Sequence, residues 1–308
     1  MRRTFTELKE AYKAISNMKT KYGNHKKTLF HLHTPASYDY TLLNRWNKEG
    51  YNKSSEIEIF NLCIDNQIFP KEFCIETYKL ENEYLIYNSK KEFLSYLLLA
   101  NELLINQFEI VVVNDHHTFA GVEKLKLSIR ELKKTKYNSD TYPTVFIGIE
   151  VSCADRLHVV GIFNDRKSNL EKIEEWLSEH LISEVEGVFL TSYDVMEFFV
   201  KCGGITYIAH INSSNIFNKE KFLSGGYKKK LLSSDYAKII GITDIKQKNR
   251  IELLMKDYSN NEVNFVIDND SHDINSLSDR YFWIKGSKIN FRMLKEVEWQ
   301  PFFRQKST

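Results

Sequence analysis

Along this chain, short apolar runs break off one after another at a histidine or a carboxylate. In order they are Phe30-His31-Leu32-His33, Asn114-Asp115-His116-His117, Gly148-Ile149-Glu150, Arg156-Leu157-His158, Ile208-Ala209-His210 and Asp270-Ser271-His272. Six of the nine histidines, all but His25, His117 and His180, stand where a metal cluster would need them. Imidazoles and carboxylates are borderline and hard ligands suited to Zn, Mn or Fe. Such groups at so many strand ends point to one polynuclear site, and polynuclear sites usually serve hydrolysis.

The segments between those ends alternate in period. Strands are expected at Thr28 to Leu32, Glu109 to Val113, Val145 to Ile149, Leu157 to Phe163, Ile205 to Ala209, Lys238 to Ile242 and Val263 to Ile267. Helices are expected at Lys91 to Asn106, Ala120 to Lys133, Ser168 to His180, Tyr193 to Lys201 and Lys246 to Asp257. A surface helix is expected over residues 5 to 20, with Phe5, Leu8, Tyr12 and Ile15 at helical spacing. Strands alternating with helices imply an α/β fold with a parallel sheet covered on both faces. An open sheet gathers its site at one switch point, whereas a (βα) barrel projects polar side chains from many strand ends into one mouth. His33, Asp115, Glu150, His210 and Asp270 all lie at or just after a strand's end, which favours the barrel. Residues 41 to 88 are polar, rich in Asn, Lys, Glu and Tyr, and read as an insertion folded against the main domain. With four prolines and twelve glycines no linker stands out, so one domain over residues 1–308 is expected.

Composition narrows the class further. A net charge of +2 gives no global basic field of the kind that advertises nucleic-acid binding. Lys228-Lys229-Lys230 is a local basic patch, best read as a solvated helix face. Cys63, Cys74, Cys153 and Cys202 form no CxxC pair, which argues against a cysteine zinc site and for a reducing, cytoplasmic setting. Met1-Arg2-Arg3-Thr4 opens a mixed polar stretch with no apolar signal core, and no apolar run reaches membrane-spanning length.

His31 and His33 lie two apart on a predicted strand, so alternation puts both on one face, able to grip one ion. An isolated HxH pair is more often two hydrogen-bonded core histidines. Asp115 after Ile110-Val111-Val112-Val113 reads tolerably as a helix N-cap, which leaves His116 unexplained. Glu150, ending Phe146-Ile147-Gly148-Ile149, needs a partner because burying a lone carboxylate is very costly; a metal or Arg156 would serve. His158, early in its strand, reads almost as well as a core histidine. Asp270 and His272 put two ligands close together, able to serve two ions. His25 and His180 read as surface residues.

Taken in order, HxH, Asp, DH, GxE, a strand His, AH and DxH resemble the PHP (polymerase and histidinol phosphatase) superfamily, over His31 to His272. The resemblance implies a distorted seven-stranded, TIM-like (βα)7 barrel with two or three divalent ions (Mn, Zn or Fe) at the strand C-termini. Carried over motif by motif, it implies His31, His33, Asp39, His116, Glu150, His158, His210, Asp270 and His272 as ligands, so every slot holds a residue able to bind metal. The chain departs at Asn114, where Thr is frequent, at Asp39, where His is frequent, and in the length of the 41–88 insertion. A finer similarity is to PHP domains joined to, or encoded beside, SMC-like ATPases. His33-Thr34-Pro35-Ala36-Ser37-Tyr38-Asp39 carries it, with Phe282-Trp283-Ile284-Lys285-Gly286 and the following Phe291 to Leu294. The chain has no GxxxxGK[ST] nucleotide loop of its own.

The expected activity is metal-dependent phosphoester hydrolysis. Glu150 would be shared between ions, Arg156 would either stabilise the phosphoryl group or pair with a carboxylate, and His117 would be either the general acid or a residue supporting the ligands. The subgroup resemblance implies a nuclease acting on DNA or RNA with an ATPase partner, in defence against phage. The alternative is a phosphomonoesterase for a nucleotide or other small phosphorylated molecule, which the near-neutral charge favours. A third reading, a metal-stabilised interaction subunit, fits the intact ligand set less well.

Overall fold

The computed structural model describes residues 9–10, 23–72, 86–136, 142–217, 223–299 and 305–307. The helix expected over residues 5 to 20 lies outside them apart from residues 9–10. β-Branched and aromatic runs too short for helices become strands. In chain order these are β1 (Asn24–Leu32), β2 (Ile110–Val113), β3 (Thr144–Ser152), β4 (His158–Phe163), β5 (Leu181–Ser183), β6 (Gly187–Val188), β7 (Ile205–Ile208), β8 (Ile239–Ile242), β9 (Asn264–Ile267), β10 (Phe282–Gly286) and β11 (Gln305–Ser307). The helices are α1 (Lys48–Lys53), α2 (Glu56–Asp65), α3 (Lys90–Ile105), α4 (Ala120–Thr135), α5 (Lys167–His180), α6 (Ser192–Lys201), α7 (Gly225–Leu232), α8 (Lys248–Met255) and α9 (Phe291–Trp299).

β5 and β6 form a separate hairpin, and the other strands form one sheet in the order β11-β10-β1-β2-β3-β4-β7-β8-β9. β2, β7, β8 and β9 are buried at every residue, as strands covered on both faces must be. The sheet curls until its far end meets β1. The amide of His33 donates to Ser271 O at 3.0 Å, and Leu32 bridges Ser271 in parallel. Eight strands, β10 and β1 through β9 without the small hairpin, thus make a nearly closed, barrel-like sheet.

The sheet is mixed rather than parallel. β1, β2 and β3 run parallel, as do β7, β8 and β9, but β4 is antiparallel to both β3 and β7. The reason is legible in the spacing. Only Cys153 to Leu157 separate β3 from β4, and a parallel crossover needs about a dozen residues or more. Reversal carries the first residue of β4, His158, to the same mouth as the last residues of β3.

Helices cover the outside. α4 buries Val122, Leu125, Ile129 and Leu132, a stripe at helical spacing. α3 is buried through Phe93 to Ala100 because it lies between α2 and α4. α2 buries Ile59, Phe60 and Cys63, with Cys63 Sγ 3.7 Å from Leu94 O, so the described part of the 41–88 segment packs on α3. α7 carries the three-lysine run; Lys229 and Lys230 are exposed, but Lys228 is buried, with its ammonium 5.5 Å from the Tyr258 ring centre. The free cysteines Cys63, Cys153 and Cys202 are buried. Among the described residues no helix is long and apolar enough to cross a membrane.

Candidate metal centre

Glu150, near the end of β3, is fully buried and lies at the centre of the mouth. Its Oε1 is 2.8 Å from His158 Nδ1 and 3.1 Å from His210 Nε2. Its Oε2 is 3.0 Å from His31 Nε2, 3.2 Å from His33 Nε2 and 3.4 Å from His116 Nε2. These imidazoles come from β1 and the residue just after it, from the turn after β2, from the start of β4 and from the turn after β7. They supply the partners that a buried carboxylate requires. Two further carboxylates complete the cluster. Asp39 lies 3.2 Å from His116 and 3.3 Å from His272, and Asp270 lies 3.5 Å from His33 and 3.2 Å from His272. The nine residues singled out as candidate ligands thus all meet at one mouth.

The loops that hold them are unusual. His117, Arg156, His210 and Asp270 all have positive φ, at 57°, 59°, 29° and 51°. Non-glycine residues keep such conformations where the surroundings over-determine them, and functional sites are where they cluster. Backbone bonds tie the turns to each other. His117 N donates to Glu150 O at 2.9 Å, and Thr41 N donates to His272 O at 2.9 Å.

Charge in the cluster is strongly coupled. Burial works to raise the Glu150 carboxyl, but the facing His31 and His116 and the bonds from His158 and His210 hold it well below the usual carboxylate range. Burial likewise opposes ionisation of Asp39 and Asp270, yet their histidine partners hold both low. Conversely, burial would lower His210 and His272, but Glu150 lifts the first to about 9, and Asp270 with Asp39 lifts the second to about 10. His117 goes the other way, pushed down to about 4 by burial and then by the neighbouring His116.

Divalent ions fit this donor set. Three groups place their ligand atoms within 4.8 Å of one another: His31, His33, Glu150 and Asp270; His33, Asp39 and His272; and His116, Glu150 and His158. His33 and Glu150 each belong to two groups, so the groups are contiguous. The Nε2 of His33 is buried and makes no hydrogen bond, while its Nδ1 contacts Ser37 Oγ at 3.2 Å. An imidazole held through one nitrogen, with the other turned to the carboxylates that would share the ion, is how a ligating histidine is prepared.

The remaining site residues divide. Arg156 lies exposed in the β3–β4 turn. His117 sits beside His116, ring centres 5.7 Å apart, and neither of its ring nitrogens has a hydrogen-bond partner. His25 is exposed and His180 half-buried. Asp115 is no helix cap, since α4 starts after Phe119 with no side-chain cap bond. It is fully buried and accepts from Thr34 N at 2.6 Å and Thr34 Oγ1 at 2.7 Å, which anchors the turn after His33. Burial pushes its carboxyl up to about 6 against those bonds. Sequence reasoning passed over Asp268, whose Oδ1 accepts from His31 Nδ1 and whose Oδ2 accepts from His210 N. The available signal was alternation, because Asp268 stands two residues before Asp270 at the end of a buried run.

No family model matches the chain. Among solved structures it is similar to the lesion-specific endonuclease PfuEndoQ from Pyrococcus furiosus, with a TM-score of 0.47 at 12% identity, over 68% of this chain and 52% of that one. It is also similar to PsfC from Pseudomonas syringae, with a TM-score of 0.40 at 12% identity, over 68% of this chain and 80% of that one. In sequence it is 36% identical over 235 residues to an uncharacterized protein of Streptococcus pneumoniae serotype 4, which spans 76% of this chain and 90% of the relative. The chain belongs to the family of that pneumococcal protein.

Proposed function

We propose that this chain is a metal-dependent phosphoesterase of the PHP type. In this reading it is one domain with a distorted (βα)7 barrel and residues 41–88 inserted in it. The observation that carries the reading is Glu150, whose two buried oxygens face five imidazoles and are shared between two donor groups. Two or three ions of Mn, Zn or Fe bound there would supply Lewis acidity towards a phosphoryl oxygen and a water of lowered pKa. His31, His33, Asp39, His116, Glu150, His158, His210, Asp270 and His272 hold them. Arg156, exposed in the turn beside His158, meets the anionic phosphoryl oxygens, for which its planar guanidinium is suited. His117 donates the proton to the leaving oxygen. Its nitrogens are unpaired, and an approaching phosphoryl anion raises the pKa that burial has lowered.

The proposed substrate is nucleic acid, DNA or RNA. The proposed setting is cytoplasmic defence against phage beside an SMC-like ATPase. The His33–Asp39 motif and the Phe282–Gly286 segment support this part of the reading. The net charge of +2 favours the second reading, a phosphomonoesterase for a nucleotide or other small phosphorylated molecule. The test is hydrolysis by purified protein with Mn²⁺. Cutting of plasmid or single-stranded DNA, lost by more than about 100-fold in His31→Ala and His33→Ala, supports the nuclease; that bound is the upper end of what losing a ligand's outer partner costs. Phosphate release from nucleotides with DNA left intact supports the second reading. Neither activity, in protein that holds its ions, overturns both.

A further inference from the structure

Asp268 is fully buried one residue past β9, and its two oxygens serve two different strands. Oδ1 accepts a hydrogen bond from His31 Nδ1, near the end of β1, and Oδ2 accepts one from the backbone N–H of His210, just past β7. Its own amide donates to Ile242 O on β8 at 2.9 Å. Through its carboxylate and its amide, Asp268 therefore ties together four neighbouring segments of the mouth.

Each bond has a consequence for the cluster. The contact to Asp268 fixes the His31 ring through Nδ1 and aims its Nε2 at Glu150 Oε2, 3.0 Å away. His210 has a φ of 29°, a conformation a side-chain-bearing residue keeps only when held. The bond from its amide to Asp268 is that hold, and it leaves His210 Nε2 3.1 Å from Glu150 Oε1. β8 has a glycine where the carboxylate passes. A Cβ on Gly241 would stand 2.5 Å from Asp268 Oδ2 and 3.1 Å from His210 N.

We propose that Asp268 is the positioning residue of the metal centre. It sets the tautomer and aim of His31 and the backbone pose of His210. It would thereby govern an ion held by His31, His33, Glu150 and Asp270, and not one held by His33, Asp39 and His272, a group that includes neither of its two partners. The inference rests on the metal-centre reading above but not on any particular substrate.

The test is Mn²⁺ titration by calorimetry, with Co²⁺ absorption spectra, on the full chain and on Asp268→Ala, Asp268→Asn and Gly241→Ala. In Asp268→Ala one class of sites should weaken by about 10–100-fold, the usual cost of losing a ligand's outer partner, and one Co²⁺ band should be lost. The other class should keep wild-type affinity. Asp268→Asn, which preserves volume, should fall between, because its amide can accept one of the two bonds but faces the other donor with N–H. Gly241→Ala should reproduce the selective loss with no change of charge. Wild-type affinity in both Asp268 variants would overturn the proposal. So would equal weakening of every site together with a lower melting temperature of the metal-free protein, which would mark a packing role. If the wild-type chain itself takes up no ion, the metal-centre reading fails as well.

Discussion

His210 and His272 are, with His31, raised groups that bear on the pH response of the metal-free protein. Their folded pKa values, about 9 and about 10, lie above the ordinary histidine value of 6.5. A group shifted upward stabilises the fold fully below its unfolded pKa and gives that stability up as pH rises through the folded value. Chelator-treated protein should therefore lose stability between pH ~6.5 and ~10, seen as a falling urea midpoint; a midpoint that rises over that range contradicts the assignment. Ions require neutral imidazoles, so their uptake near pH 7 should release protons, countable by calorimetry in two buffers of different ionisation heat. That the nine candidates would meet was legible because each stands at a strand's end, at its start or in the adjoining turn, where a charge must find a partner. Asp268 and Asp115 were not. Their partners, His31 and Thr34, are distant in sequence, and a carboxylate's role as acceptor or ligand depends on what meets it.

Three helices end in the same way, and two carry a correctable strain. After α6, Gly203 has φ 80° and donates to Val200 O, while Gly204 donates to Phe199 O, the paired bonds of a Schellman motif. α2 and α3 make the same pair of bonds with Gln67 at φ 57° and Gln107 at φ 56° in the glycine position. Left-handed backbone costs a side-chain-bearing residue roughly 1–2 kcal/mol, and glycine's extra unfolded-state freedom offsets about 0.5–1 of that. Gln107→Gly should thus stabilise by about 0.5–1 kcal/mol, measured by denaturant unfolding; destabilisation would show that the glutamine side chain contributes something further. At this scale the strands and long helices matched expectation because their hydrophobic period is strong. Element direction did not. β4 was placed in a parallel sheet, and only the five residues of its connection to β3 show why it must reverse. β10, quoted above only as part of a motif, was not read as a strand, because the run Phe282-Trp283-Ile284-Lys285-Gly286 does not alternate in sequence although its burial does.

The barrel-like sheet closes through loops rather than through a complete ladder. The turn after β1 and the chain after β9 meet by the His33–Ser271 and Thr41–His272 backbone bonds, at the place where Asp39, Asp270 and His272 face one another. Ions held there would bind the closed form and not the unfolded chain. Mn²⁺ at about 100 times its Kd should then stabilise by roughly 2.7 kcal/mol, seen as a rise in melting temperature that EDTA reverses; no shift on chelation of loaded protein would deny the ions this role. The amino-acid order already specified the alternation of strands and helices and the supply of imidazoles and carboxylates at their ends, since both follow from local period and from the cost of burying charge. Tertiary structure alone decided which nitrogen meets which oxygen, that Glu150 stands at the centre, that β4 runs backwards and that Asp268 holds two histidines. Those outcomes depend on contacts across long sequence separations, such as the separation of 119 positions from His31 to Glu150, and local pattern carries no record of the partner at such range.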